Sequence, residues 1–192
     1  PRNRSKAYIT QDQMAGFIGM PTSGWKIGAT SAKMREIDGH DDIIPGRLFP
    51  AITHFGTRLA LSIGDCPNPR VETEFGFRLN ADMPLMDTPW SAREAAQIIT
   101  LHPALEVIGN RFSMPGAPAA TLSLMGIADN GGGIGGVFGE AVEDWQGIDY
   151  HHHPISFVVD GRAESENFLG ELRCDPRQAV ADLANLLGTR GH

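Results

Sequence analysis

The stretch 70–79 constrains the fold most strongly, because its side chains alternate as they do along a β-strand. Its odd-numbered positions are apolar apart from one threonine, and its even-numbered positions carry Glu72, Glu74, Gly76 and Arg78. Two glutamates two residues apart share one strand face, where their charges repel unless a cation lies between them. A glycine on that face is typical of a strand whose backbone a ligand approaches closely. The pattern raises the hypothesis of a divalent-metal site on Glu72 and Glu74. Taken alone it favours a solvated strand face, so the rest of the chain decides between the two.

The rest of the chain predicts an α+β fold. The whole chain of 192 residues is long enough to bury one hydrophobic core. Its 23 glycines and 13 prolines favour many turns over a helical bundle. Short strands alternate irregularly with three or four helices, which is typical of a curved or rolled mixed sheet rather than regular βαβ units. No linker or repeat interrupts the chain, so we expect one catalytic domain over residues 1–192.

Charge and composition narrow the classes of partner. The net charge of −7 and the absence of a basic run argue against a nucleic-acid partner. No window is long and apolar enough to span a membrane, so no membrane association is expected. Cys66 and Cys174 match no zinc or redox spacing and are expected as reduced thiols in a cytoplasmic protein, with a structural disulfide as the minor alternative.

Turn and capping patterns divide the remaining chain into elements. Residues 31–46 are turn-rich and predicted to form a loop that covers a site. The glycine-rich segment 129–136 lacks a nucleotide-binding pattern and is predicted to be a mobile loop against a ligand. Helices are predicted over 5–19, 91–101, 121–128 and 175–188, and strands over 24–30, 47–49, 59–63, 104–108, 137–139 and 155–159.

Two charged residues in apolar or glycine-rich strands are further site candidates. Glu106 is the one acid in the apolar run 104–108, where a charge is costly unless it is paired or metal-bound. The alternative for Glu106 is a buried ion pair with an arginine, such as Arg111 or Arg70. Lys26 shares its strand face with two glycines that leave space around it, as at a binding position. The alternative for Lys26 is an exposed lysine on an edge strand.

Four motifs follow one another in a diagnostic order: Gly24-Trp25-Lys26-Ile27-Gly28, Arg70-Val71-Glu72-Thr73-Glu74-Phe75, Pro103-Ala104-Leu105-Glu106-Val107-Ile108 and Ala128-Asp129-Asn130. Together they resemble the hydratase/decarboxylase branch of the fumarylacetoacetate hydrolase superfamily, the branch of 2-keto-4-pentenoate hydratase and 4-oxalocrotonate decarboxylase. The resemblance covers nearly the whole chain. It implies a mixed β-sandwich or rolled sheet with peripheral helices, a homo-oligomer, and a bound Mg²⁺ or Mn²⁺ ion.

The resemblance also implies the site residues and the reaction. It assigns the metal to Glu72, Glu74 and Glu106 and the active-site lysine to Lys26. It also counts Asp129 and Asn130, in a turn near the site, among the catalytic residues. Three carboxylates form an oxygen-only site that suits Mg²⁺ or Mn²⁺. The expected activity is a hydratase that adds water to a 2-hydroxydienoate or 2-oxo-enoate through a metal-stabilised enolate. Alternatives are a decarboxylase or a C–C bond hydrolase of 2-oxo acids on the same site, or a non-catalytic homologue.

The chain departs from the family pattern in two features, one residue and one segment. Gly131 stands where the hydratases carry a small polar residue, so one substrate hydrogen bond is expected to be missing. Family members continue beyond the helix that ends near Leu187 with strands that complete the sheet. We therefore expect those C-terminal strands to be missing from residues 1–192.

Overall fold

A computed structural model describes residues 1–64, 66, 68–165 and 168–192. The helices of these residues are α1 (Arg4–Ile18), α2 (Ala32–Asp38), α3 (Ala92–Ala95), α4 (Ala119–Ala128) and α5 (Pro176–Thr189). The strands are β1 (Gly24–Gly28), β2 (Ile44–Leu48), β3 (Thr53–Phe55), β4 (Arg70–Leu79), β5 (Ile99–Ile108), β6 (Gly133–Phe138), β7 (Ser156–Val159) and β8 (Arg162–Ser165). None of the helices in this part of the chain is long and apolar enough to cross a bilayer.

A four-stranded mixed sheet with the order β3-β6-β5-β4 carries the candidate site. Strands β3 and β6 run parallel, whereas β5 is antiparallel to both β4 and β6. Two further antiparallel pairs, β1–β2 and β7–β8, lie outside this sheet. These elements confirm the predicted α+β class with a mixed sheet, while closure into a sandwich or roll stays a prediction.

The alternation of β4 divides the main sheet into an apolar face and a polar face. On the apolar face, Phe75 and Phe77 pack against a buried cluster that includes Leu101 of β5, Trp145 and Tyr150. Burying side chains of this size contributes about 1.5–3 kcal/mol each, which is enough to fix the register. A shift of one residue would turn the glutamates inward, so the core determines which face they occupy.

A second core cluster connects α1 and α4 to the β1–β2 hairpin. Ala7 of α1 packs with Ile44 of β2 and Ile127 of α4. The buried Gln11 amide donates to the carbonyl oxygens of Pro45 (2.8 Å) and Ile127 (2.9 Å). The hairpin that carries Lys26 is therefore held by a packed helix pair.

The helix predicted over 91–101 was too long, and the following strand was predicted too short. The capping box between Ser91 and Glu94 forms, but α3 ends at Ala95 and β5 begins at Ile99. Pro103, taken as a break, lies inside β5. Its carbonyl accepts from the Gly139 N–H just beyond the end of β6. The missing Pro103 N–H therefore falls at the end of the β5–β6 ladder, where the Gly139 carbonyl oxygen lies 2.8 Å from His102 Nδ1.

Three other segments also differ from the predictions. The predicted loop 31–46 contains α2, capped by the Ser31 side chain on the Met34 N–H, and most of β2. The predicted strand 59–63 does not form, whereas the three-residue strand β3 was not predicted. The predicted mobile segment 129–136 is a 3-10 turn followed by β6, which pairs on both sides.

The glycines of β6 are explained by close packing. A Cβ on Gly135 would lie 3.1 Å from a methyl group of Leu61 and 3.2 Å from the Ile52 carbonyl oxygen. A Cβ on Gly136 would lie 3.0 Å from the Leu105 carbonyl oxygen. The run therefore allows neighbouring chain segments to approach closely, which composition alone does not distinguish from mobility.

Candidate metal centre

Strand pairing brings the three predicted ligands together. Glu72 of β4 lies directly opposite Glu106 of β5, and Glu74 follows two residues along the same face. One carboxylate oxygen from each glutamate lies within 4.8 Å of the others. Among the described residues, this is the one group of three or more acidic, histidine or cysteine side chains close enough to share an ion. The role of these residues as ligands stays a prediction, but their convergence is a structural fact.

Glu106 is the most unfavourably placed of the three carboxylates. Its residue surface is 9% exposed. Burial raises the pKa of the Glu106 carboxyl, and the nearby charge of Glu72 raises that pKa further, while Lys26 offsets part of the increase. Its Oε1 atom is buried and has no hydrogen-bond partner in the described part of the chain. A buried carboxylate oxygen in this state needs a proton or a cation.

Lys26 supplies the ammonium group at this cluster. Its Nζ lies 3.5 Å from Glu106 Oε2, and its side chain is only 12% exposed. The alternative of an exposed edge-strand lysine is therefore wrong. Glu106 does form an ion pair, but with Lys26 rather than with either arginine: Arg111 binds Asp129, and Arg70 has no ion pair with another described residue.

Two glycines from other elements make room for Lys26, rather than the two on its own strand. A Cβ on Gly24 or Gly28 would meet its nearest neighbours, in Leu48 or Ile44, at 3.4 Å or more, which is ordinary van der Waals contact. A Cβ on Gly131 would lie 2.5 Å from Lys26 Cε, and a Cβ on Gly46 would lie 3.1 Å from Lys26 Cγ. Gly131 also has a φ of 65°, a left-handed conformation that favours glycine. The lysine stem therefore runs between β2 and the turn that contains Gly131.

Asp129 and Asn130 lie in that turn. Asp129 accepts from the Arg111 backbone N–H (2.9 Å) and from the Arg111 guanidinium (3.1 Å). The buried Asn130 accepts from the Arg47 N–H (2.6 Å) and donates to the Arg47 carbonyl oxygen (2.9 Å). Both side chains thus hold the turn against its neighbours, and direct contact of either with a substrate stays a prediction.

The residues present fit a hard divalent cation. Three carboxylates from two adjacent strands supply an all-oxygen donor set, as Mg²⁺ and Mn²⁺ prefer. The unpaired Glu106 oxygen points to the same conclusion, because a cation would satisfy it where the described protein groups do not.

An aromatic pair on the same face of the sheet was not anticipated from the sequence. Gly76 was predicted to let a ligand approach, but the Phe138 ring of β6 fills that space, 2.6 Å from where a Gly76 Cβ would be. Phe138 stacks on Phe55 of β3 with ring centroids 5.6 Å apart and an interplanar angle of 29°. The sequence shows only a glycine next to the E-x-E pair. The ring that fills the space above this glycine comes from β6, two strands away in the sheet, so the local pattern does not reveal it.

A C–C bond hydrolase would want a histidine–glutamate pair as general base, and the candidate in this sequence, His40 with Glu36 in the segment 31–46, does not form such a pair. Glu36 accepts a hydrogen bond from Lys33 at 2.8 Å, while the backbone N–H of His40 donates to Arg35. Burial lowers the pKa of His40. Glu36 therefore does not pair with His40.

No model of a protein family matches the chain, and neither does any curated protein sequence. Solved structures do match it. One is 4-oxalocrotonate decarboxylase from Pseudomonas putida G7 complexed with magnesium and adipate, with a TM-score of 0.78 and 22% sequence identity over 99% of this chain and 71% of the other.

The chain has the fold of 4-oxalocrotonate decarboxylase. A second structure of that decarboxylase, complexed with calcium and acetate, matches with a TM-score of 0.76, again at 22% identity over 99% of this chain and 71% of the other. This fold agrees with the α+β architecture that the sequence motifs implied.

Proposed function

We propose that this chain is a divalent-metal-dependent lyase of the hydratase/decarboxylase branch of the fumarylacetoacetate hydrolase superfamily, acting on a small 2-oxo acid. The observation that carries the proposal is the convergence of three glutamates beside a nearly buried lysine. The decarboxylase fold supports it, since two structures with that fold hold a divalent metal and a carboxylic acid.

Glu72, Glu74 and Glu106 would hold Mg²⁺ or Mn²⁺. A divalent ion there supplies a Lewis acid that polarises the oxygen of a 2-oxo group. Glu106 is buried at the base of the cluster and Glu74 is exposed at its rim, so the cluster opens toward solvent from the Glu74 side. A substrate would enter from that side.

Among the described residues, Lys26 is the group best placed to move a proton. Its Nζ lies beside Glu106, and both side chains are nearly buried, which strengthens the electrostatic interactions of the ammonium group. It can donate a proton to the substrate or bind the substrate carboxylate. Lys26→Ala would abolish activity in either case, whereas Lys26→Arg keeps the charge but removes a practical proton donor. Retained turnover in Lys26→Arg would rule out proton transfer as the lysine's role.

Calorimetry tests the metal centre directly. We expect Mg²⁺ or Mn²⁺ to bind the wild-type chain, and oxalate, which mimics the enolate of a 2-oxo acid, to bind only when the metal is present. Glu74→Gln should lose both, because one anionic ligand becomes neutral without a change in size. The control Glu143→Gln alters an exposed glutamate outside the cluster and should keep both. A wild-type chain that binds neither metal would overturn the proposal.

We favour hydration of a 2-hydroxydienoate or 2-oxo-enoate as the reaction, on the strength of the sequence motifs. Decarboxylation is the second candidate, because the structures that share the fold are decarboxylases. An assay of both products from one 2-oxo acid series separates them. Release of CO₂ would support the decarboxylase, and loss of dienol absorbance without CO₂ would support the hydratase.

A non-catalytic homologue is the alternative from another class. It predicts that Glu74→Gln changes stability or assembly while no 2-oxo acid is turned over, so metal-dependent turnover would eliminate it. By analogy with the branch, we propose a homo-oligomer in the cytoplasm with one catalytic domain.

A further inference from the structure

The structure places the Lys26 ammonium group beside the three glutamates and encloses its stem. Lys26 Nζ lies 3.5 Å from Glu106 Oε2, and only 12% of the lysine side chain is exposed. A Cβ on Gly131 would lie 2.5 Å from Lys26 Cε and 3.3 Å from its Nζ, and a Cβ on Gly46 would lie 3.1 Å from its Cγ. Backbone on both sides of the stem therefore keeps the ammonium close to the carboxylates.

An ion held by the glutamates would lie close to this positive charge. One oxygen from each of Glu72, Glu74 and Glu106 lies within 4.8 Å of the others. Because a metal–oxygen bond is about 2.1 Å long, an ion bound through either oxygen of Glu106 lies within roughly 8 Å of Lys26 Nζ. The lysine and the ion carry charges of the same sign and therefore repel each other.

The opposite effect, in which Lys26 favours the ion by orienting a ligand, is weaker in this geometry. Groups that hydrogen-bond to a metal ligand orient it, and their loss commonly weakens metal binding. A charge-assisted hydrogen bond of that kind is about 2.7–2.9 Å long, whereas Lys26 Nζ is 3.5 Å from Glu106 Oε2. At this length little of a hydrogen bond remains, but Coulomb repulsion falls only with the inverse of the distance. We therefore expect repulsion to dominate.

This repulsion discriminates between ions of different charge. Coulomb energy is proportional to the charge of each partner, so a trivalent ion loses half as much again in binding free energy as a divalent ion at the same place. The same proportionality makes three carboxylates attract a trivalent ion more strongly than a divalent one. Lys26 opposes that advantage without removing a carboxylate ligand.

We propose that Lys26 is a specificity-determining residue for the cation: its charge weakens metal binding at the three glutamates and disfavours trivalent ions relative to divalent ions. The inference rests on the proposed function, because it takes Glu72, Glu74 and Glu106 as the metal ligands. It gives the lysine a role toward the ion in addition to its role toward the substrate.

Two ions of nearly equal radius, Ca²⁺ and Tb³⁺, test this role by calorimetry. We expect Lys26→Met to bind Ca²⁺ about tenfold more tightly than the wild-type chain does, and Tb³⁺ about thirtyfold more tightly, because the trivalent ion is relieved of the larger repulsion. The ratio of the two affinities should therefore shift about threefold toward Tb³⁺. Both ions displace the same protons from the glutamates, so proton competition affects the ratio little.

Three further variants separate the charge of Lys26 from its structural contribution. Lys26→Gln keeps a hydrogen-bond donor without the charge and should reproduce the shift, and it replaces Lys26→Met if circular dichroism shows that variant to be unfolded. Lys26→Arg keeps the charge and should retain the wild-type ratio. Lys33→Met removes an exposed lysine that pairs with Glu36 outside the cluster and should change neither affinity.

The outcomes distinguish this inference from the metal centre itself. Weaker binding of both ions to the uncharged Lys26 variants would show that the ammonium supports Glu106 as a ligand. An unchanged ratio would show that its charge does not select between ions. Either result would overturn the inference and leave the metal centre standing, whereas a wild-type chain that binds neither Ca²⁺ nor Mg²⁺ would overturn both.

Discussion

Glu106 determines how the candidate centre responds to pH. Burial raises the pKa of this carboxyl above the ordinary glutamate value, so its proton is held to a higher pH than usual. A metal ion must displace that proton to bind. We therefore expect Mg²⁺ affinity to decrease as pH falls, and the decrease should begin above the range in which an ordinary glutamate titrates. Calorimetric Kd values at several pH values would measure this decrease.

The sign of that dependence follows from the competition between proton and metal. Raising pH deprotonates Glu106 and favours the metal-bound state, whereas lowering pH restores the proton and releases the ion. An affinity that stays constant down to the ordinary glutamate pKa of about 4.3 would contradict the raised pKa.

Gly131 is a position where one added methyl group should disturb the site. Gly131→Ala would place a Cβ 2.5 Å from Lys26 Cε, at a residue whose φ is 65°. The left-handed conformation alone costs roughly 1 kcal/mol or more for alanine. We expect a lower Tm in thermal melts. We also expect kcat to fall, because the Lys26 ammonium must move away from Glu106.

Gly126→Ala is the matched control for that substitution. Gly126 lies within α4, and a Cβ there meets nothing within 4 Å. Alanine in a helix interior should be neutral or stabilising by up to about 1 kcal/mol. If both variants behaved alike, Gly131 would have no special role beside Lys26.

At the scale of elements, the Asn130 amide joins β2 to the turn that precedes β6. It makes two hydrogen bonds to the backbone of Arg47, and its φ of 58° is one that asparagine tolerates better than most residues. Asn130→Ala would leave a buried N–H and a buried carbonyl without partners. We expect a loss of about 2–4 kcal/mol in the free energy of unfolding, measured by denaturant titration.

A comparison with Asn130→Asp separates the two hydrogen bonds. Aspartate can still accept from the Arg47 N–H, but its oxygens repel the Arg47 carbonyl oxygen, so this variant should also be destabilised. Wild-type stability in either variant would show that the amide does not hold the turn.

The elements also show which parts of the fold a single sequence can predict. Strand β4 was predicted at its observed bounds because alternation over ten residues is a local property of the chain. The start of β5 was missed because Ile98 and Ile99 also suit a helix, and pairing with β4 decided between the two. The strand predicted over 137–139 matches only the end of β6. Residues 133–136 were taken for a mobile loop because their glycines reflect contacts with residues distant in sequence, such as Leu61 and Leu105.

The same distinction applies to the site. The spacing of Glu72 and Glu74 and the isolated charge of Glu106 are visible in the sequence, and the sheet register brings them together. That Lys26, rather than an arginine, pairs with Glu106 depends on how the β1–β2 hairpin packs on the turn containing Gly131. The aromatic pair depends on strand order, which local patterns do not encode.

At the scale of the whole molecule, Asp12 connects α1, β2 and the segment after α5. Its carboxylate binds Arg47 (2.6 Å) and Arg190 (3.0 Å), whose side chains are only 10% and 12% exposed, and His192 lies 3.7 Å away. The two guanidiniums also lie over aromatic rings, Arg47 over Trp25 and Arg190 over Tyr8. One partly exposed acid therefore balances two nearly buried cations.

Asp12→Asn should therefore destabilise the fold without affecting the metal centre. Removing the shared anion leaves two buried guanidiniums that repel each other, and because Asp12 is 41% exposed, the full cost of breaking a buried ion pair is reduced to roughly 1–3 kcal/mol. For a chain of this size that corresponds to a fall in Tm of several degrees, at about 2–4 °C per kcal/mol. Mg²⁺ affinity should not change, because the three glutamates lie on β4 and β5.

Glu36→Gln is the control for this substitution. It breaks an exposed ion pair with Lys33 and should shift Tm far less than Asp12→Asn does. Equal shifts in the two variants would show that Asp12 contributes no more than an ordinary surface charge.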